Sequence, residues 1–195
     1  HNQSRRQRQM CIRDRIEAGS YILATMATKG RLKLNNFNPK DLALPLKLYK
    51  GMGLKIKKLS NSSYEIYCKT LKPIKKISTK EFPGYPTDLQ AQLIATQLKS
   101  GLKSKVVENI FENRFIHIPE LRRFGANLSI KGKTVTIDKT SDLQGAEVMA
   151  TDIRASFSLI IAAMMSKGKT VINRIYHIDR GYEDFDLKLK KCGVN

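Results

Sequence analysis

Three times along the chain an aspartate opens a helical apolar pattern that ends at a glycine, and a second glycine closes a second helical stretch about 23 to 25 residues later. The first unit runs from Asp14 through Ile16, Ile22, Leu23 and Met26 to Gly30, then on to Gly53. The second runs from Asp88 through Leu89, Leu93, Ile94 and Leu98 to Gly101, then on to Gly125. The third runs from Asp152 to Gly168 and on to Gly193. Both residue types have a physical reason to stand there. An aspartate at a helix start accepts hydrogen bonds from N–H groups that have no partner inside the helix. A glycine at a helix end takes the left-handed conformation without a Cβ clash.

Strands fill the gaps between these helices. They are expected at 31–35, 103–107 and 170–174. Hairpins are expected at 54–59 with 63–69 across Ser60-Asn61-Ser62, and at 127–130 with 134–137 across Lys131-Gly132-Lys133. Helices 39–50, 117–124 and 183–192 precede the second glycines. Each unit therefore reads helix–strand–helix–hairpin and needs one further strand to enter it. The period, about 65 to 70 residues, exceeds that of the common solenoids. The sequence predicts an α/β domain of about three repeats, 14–80, 81–148 and 149–195, with the last cut short of its hairpin. Sheets lie outside and helices pack together inside.

The first thirteen residues carry a dense polar and basic run without apolar periodicity, and 1–13 is expected to be disordered or non-native. The chain as a whole has the composition of a folded protein, 41% apolar and 27% charged. No run of eighteen apolar residues suggests a membrane span, and no secretory leader is expected, since the basic start is not followed by an apolar core segment. Cys11, Cys68 and Cys192 form no CxxC, so reduced thiols in a cytoplasmic protein are expected, without zinc. The net charge of +19 attracts polyanions, but the lysines are dispersed and no nucleic-acid motif accompanies them. A generally basic surface is favoured over a dedicated nucleic-acid face. Neither GxSxG, GxxxxGK nor GxGxxG occurs.

Five segments in order resemble the enolpyruvyl transferase family, in its UDP-N-acetylglucosamine branch. They are Asp14 to Gly19, Phe82 to Gln92, Ile110 to Leu121, Leu143 to Ala146 continuing at Ala150 to Ser156, and Arg174 to Glu183. Tyr85 stands where phenylalanine is usual, and the first unit is more lysine-rich than the family leads one to expect. The resemblance implies an inside-out α/β barrel domain of βαβαββ repeats around buried parallel helices. It implies the C-terminal half of a two-domain enzyme whose active site lies between the domains. The missing N-terminal domain would carry the cysteine proton donor, a role that no cysteine here inherits. The implied reaction moves the enolpyruvyl group of phosphoenolpyruvate to the 3-hydroxyl of UDP-N-acetylglucosamine, releases phosphate and opens peptidoglycan synthesis. It implies no cofactor, no metal, no membrane and no specific nucleic acid, and a half-enzyme inactive alone.

Site residues follow from the same resemblance. Asp88 matches the general base that contacts the sugar nucleotide; by residue type alone it is a helix cap. Asp152 and Arg154 match groups near phosphoenolpyruvate; alone they read as a cap and a surface arginine. Arg180 matches an arginine that closes on phosphoenolpyruvate; alone it reads as an ion pair with Asp179. Arg114 is expected near the cleft, with Glu112 holding it. Ile110 is expected to touch the nucleotide through its backbone, or else to fill the core. His117 and His177 read as loop-orienting or capping residues. Two other readings remain open: a 3-phosphoshikimate 1-carboxyvinyltransferase, and a basic nucleic-acid-binding module without catalysis.

Overall fold

The structure, a computed structural model, describes residues 9–11, 14–182 and 184–193. Its elements repeat. Unit one contains β1 (Gln9–Cys11), α1 (Arg15–Ala27), β2 (Arg31–Asn35), a 3-10 turn Pro39–Leu42, α2 (Ala43–Gly51), β3 (Leu54–Lys58) and β4 (Ser63–Cys68). Unit two contains β5 (Lys76–Ser78), a 3-10 turn Thr87–Leu89, α3 (Gln90–Gln97), β6 (Ser104–Val107), α4 (Ile118–Arg123), β7 (Leu128–Lys131) and β8 (Thr134–Ile137). Unit three contains β9 (Glu147–Met149), α5 (Ile153–Met165), β10 (Val171–Asn173), a 3-10 turn Ile175–Arg180 and α6 (Phe185–Lys191).

The first two sheets have one topology, β1-β2-β4-β3 and β5-β6-β8-β7. In each, the entering strand runs parallel to the strand after the helix, and the hairpin adds two antiparallel strands. In unit three, β9 pairs parallel with β10 in the same way. The sheets cover a centre formed by α1, α3 and α5, which pack on one another. A helix buried on every side must be apolar or hydrogen-bonded all round. In α1 every residue from Glu17 to Ala27 is buried, and in α3 every residue is. Several of their polar side chains bond within the core, whereas Tyr21 OH, Gln90 Nε2, Gln92 Oε1 and Gln97 Nε2 have no hydrogen-bond partner among the described residues. Ser20 Oγ and Tyr182 OH share a hydrogen bond of 2.7 Å, and Gln92 Nε2 donates to Ser20 Oγ at 3.1 Å.

Small residues set how closely the helices approach. A Cβ on Gly19 would lie 2.5 Å from Leu89 Cδ1. The absence of that one atom lets α1 press against the turn that carries Asp88. From the other side, Phe157 of α5 stacks on Tyr182 at 4.7 Å and meets Tyr21 edge-on at 5.2 Å. Lys188 of α6 donates to buried Glu17 of α1 at 2.7 Å.

Three expectations need correction. Residues 9–11 of the segment set aside as disordered or foreign form β1, paired with Lys33, Leu34 and Asn35; 1–8 and 12–13 lie outside the described residues. Main-chain hydrogen bonds to β2 hold β1, so side-chain periodicity carried no sign of it. The left-handed residue after α1 is Lys29, φ 51°, not Gly30, whereas Gly53, Gly101, Gly125, Gly168 and Gly193 take positive φ as expected. The third concerns Asp88, which does not cap a helix.

Candidate functional site

Two of the three opening aspartates are caps. Asp14 accepts from the Ile16 N–H, and Asp152 Oδ1 accepts from Arg154 N–H at 2.7 Å and Ala155 N–H at 3.0 Å. Asp88 stands one turn differently. The chain enters α3 through the 3-10 turn Thr87–Leu89 behind Pro86, and no side chain caps it. The Asp88 carboxylate is thereby released from the backbone and meets two guanidinium groups. Its Oδ1 accepts from Arg154 Nε at 2.5 Å and Arg114 Nη2 at 2.9 Å. Among the described residues its Oδ2 accepts no hydrogen bond.

The elements explain the meeting. Arg154 is on the first turn of α5, oriented by the Asp152 cap beneath it. Arg114 follows Asn113, whose left-handed φ of 54° turns the loop after β6, and its guanidinium lies 4.5 Å over the Phe111 ring. The starts of α3 and α5 and the loop before α4 therefore converge on one carboxylate. Side-chain exposures are 37% for Asp88, 38% for Arg154 and 16% for Arg114, so the cluster is open on one side. It presents two fork-shaped cations and a carboxylate oxygen to whatever occupies that side, a combination suited to anion binding beside a proton acceptor.

Arg180 ends the turn Ile175–Arg180 and is exposed. Among the described residues it forms no ion pair with Asp179. The next residue, Gly181, packs against Ile153 at the start of α5, and Tyr182 is tied into the core through Ser20. Arg180 is thus delivered to the end of α5 that holds Arg154. Ile110 is half-buried, and its N–H donates to Glu108 Oε1 at 2.8 Å. Glu112 is exposed and makes no ion pair with Arg114 among the described residues; the carboxylate that holds Arg114 is Asp88. The described residues contain no group of three or more His, Cys, Asp and Glu able to hold a metal ion. None of their helices is long and apolar enough to cross a membrane.

His117 stands where α4 begins, but its side chain accepts no capping hydrogen bond. It is 2% exposed. Burial pushes its pKa down to about 4, against the opposing pull of the Asp152 charge and a hydrogen bond to the Arg114 backbone. It is therefore neutral in the folded protein near pH 7. Between the ordinary imidazole value and about 4, the unfolded chain takes up a proton that the folded chain refuses, so stability falls as pH drops through that window. The full effect is about 3 kcal/mol, from 1.4 kcal/mol per pH unit. Urea unfolding at pH 7 and pH 4 should show His117→Gln losing less stability on acidification than the unchanged protein; equal losses would contradict this placement.

Residues 1–189 match the EPSP synthase (3-phosphoshikimate 1-carboxyvinyltransferase) family. The UDP-N-acetylglucosamine 1-carboxyvinyltransferase of Pelagibacter ubique is 49% identical over 183 residues, covering 93% of this chain and 43% of that protein. The enzyme of the same name from Bartonella henselae is 45% identical over 186 residues, 94% of this chain and 43% of that one. Among solved structures, the enolpyruvyl transferase NikO from Streptomyces tendae superposes with a TM-score of 0.83 at 25% identity, over 94% of this chain and 44% of its own. An EPSP synthase from Acinetobacter baumannii shares the fold with a TM-score of 0.68 at 14% identity, over 90% of this chain and 45% of its own. The chain spans less than half the length of the curated relatives it matches.

Proposed function

The chain belongs to the EPSP synthase (3-phosphoshikimate 1-carboxyvinyltransferase) family, and from that membership we propose that it is the C-terminal half of a UDP-N-acetylglucosamine 1-carboxyvinyltransferase. The reaction moves the enolpyruvyl group of phosphoenolpyruvate to the sugar 3-hydroxyl and releases phosphate, at the start of peptidoglycan synthesis in the cytoplasm. The relatives carrying that name at 45–49% identity support the choice of acceptor. One observation carries the site assignment: Asp88 is withheld from capping, held on one oxygen by Arg114 and Arg154, and its other oxygen accepts no hydrogen bond among the described residues.

The chemistry divides among these residues. Asp88 Oδ2 takes the proton of the 3-hydroxyl, whose oxygen forms the new bond to C2 of phosphoenolpyruvate. A proton delivered to C3 by a donor on the partner domain completes the tetrahedral adduct. Removal of one proton from the C3 methyl, with cleavage of the C2–O bond to the phosphate and not of the one to the sugar, then releases phosphate and restores the double bond. Arg154 and Arg180 bind the phosphate and carboxylate of phosphoenolpyruvate, and Arg114 fixes Asp88. Asp152 orders the first turn of α5 beside the donor. Ile110 offers its carbonyl to the nucleotide. The partner domain supplies the opposite wall, and closure excludes water.

Phosphate release by the full-length protein is the test. Release from phosphoenolpyruvate should require UDP-N-acetylglucosamine, and 3-phosphoshikimate should not replace it; the converse preference would overturn the acceptor assignment. The isolated chain should show negligible turnover, and measurable turnover would contradict the shared-site account. Steeply salt-dependent binding of a duplex oligonucleotide, with no binding of the sugar nucleotide, would establish the basic module instead.

A further inference from the structure

We propose that Glu108 is a positioning residue of this site, the carboxylate that sets the spacing between the segment carrying Asp88 and the loop carrying Arg114; the inference rests on the transferase reading. Glu108 follows Ser104 and Val106 on the inward face of β6 and its continuation, and it is 1% exposed. Its Oε1 accepts from Thr79 Oγ1 at 2.8 Å, Ile110 N–H at 2.8 Å and Phe111 N–H at 3.2 Å. Its Oε2 accepts from Thr87 Oγ1 at 2.8 Å. Every one of these donors is neutral, and no cation pairs with Glu108 among the described residues. A buried carboxylate with no cation partner is held by directional hydrogen bonds, so its position and that of its donors define one another.

The donors to Glu108 come from both arms of the site. Thr87 is the residue before Asp88. Phe111 is the ring on which the Arg114 guanidinium rests. Arg114 in turn donates to Asp88. Glu108, Thr87, Asp88, Arg114 and Phe111 thus form a closed circuit of contacts with Glu108 at the far side from the open face. Thr79 and Asn109 brace the circuit, since the Asn109 N–H donates to Thr79 Oγ1 at 2.9 Å. A carboxylate that only stabilised the fold would have no need to reach both arms of the site.

The test is steady-state kinetics of full-length protein with Thr87→Val, Glu108→Gln and Glu108→Ala, each beside its thermal melt. Thr87→Val removes one hydroxyl at nearly constant shape. It should lower kcat about tenfold with KM for both substrates within about threefold, because small displacements of reacting groups are costly. Glu108→Gln keeps one acceptor oxygen and should fall less than Glu108→Ala, for which a loss of about a hundredfold is expected. If Glu108→Ala does not fold, the other two variants decide. Unchanged kcat in Thr87→Val and Glu108→Gln would overturn the positioning role. So would a loss of activity that only tracks the unfolded fraction. No turnover by the unsubstituted protein would instead overturn the transferase reading, and this role with it.

Discussion

Asp88→Asn, introduced into the full-length protein, is expected to lower kcat by about 10² to 10⁴-fold, the usual range for loss of a positioned base. Asparagine has nearly the same shape and still offers one carbonyl oxygen to Arg114 and Arg154. It cannot accept the proton of a hydroxyl. The thermal cost should be small, because Asp88 is 37% exposed and partly exposed ion pairs contribute about 0–1 kcal/mol. Catalysis and stability should therefore separate. A variant that kept kcat within about threefold would remove Asp88 from the role of base, since the amide has no proton-accepting capacity at neutral pH. Structure gives the variant its meaning: a capping aspartate changed to asparagine would keep its cap, whereas Asp88 caps nothing.

Phe157→Ala should cost about 3–5 kcal/mol in equilibrium unfolding by urea, the range for truncating a buried aromatic. Phe157 is fully buried in the second turn of α5 and stacks on Tyr182, while Tyr21 and Phe185 meet it edge-on at 5.2 and 5.9 Å. The ring joins α1, α5, α6 and the segment behind Arg180. Its removal loosens the anchor that brings Arg180 to the start of α5, so hydrogen exchange at 175–182 should accelerate more than at α3. A loss below about 1 kcal/mol would mean that the site collapses around the cavity and that the aromatic group does not hold the segment.

The repeat was legible because each of its signals is local. Apolar periodicity, a capping aspartate and a closing glycine are all written within a few residues of where they act, and α1, β2, β6, β8, α5 and β10 lie within a residue or two of expectation. What escaped depends on partners distant in sequence. The entering strands β1, β5 and β9 are three residues each, too short to show alternation, and exist because β2, β6 and β10 pair with them. Asp88 carries the same local signature as Asp14 and Asp152, and only the geometry of its turn separates a freed carboxylate from a cap. The link to Arg154 spans 66 residues and no sequence pattern encodes it. Glu108 was the missed residue with a readable signal. Continuing the inward alternation of Ser104 and Val106 lands on it, and a glutamate on a core face needs several hydrogen-bond donors.

The proposed chemistry depends on the acceptor sugar reaching Asp88 from the open side of the cluster. A crystal structure of the full-length protein with UDP-N-acetylglucosamine measures this directly. The account places the sugar 3-hydroxyl within hydrogen-bond distance of Asp88, about 2.6–3.2 Å, with Arg114 and Arg154 still on the other oxygen. A sugar bound elsewhere, with Asp88 enclosed by its two arginines and no substrate hydroxyl near it, would contradict the account.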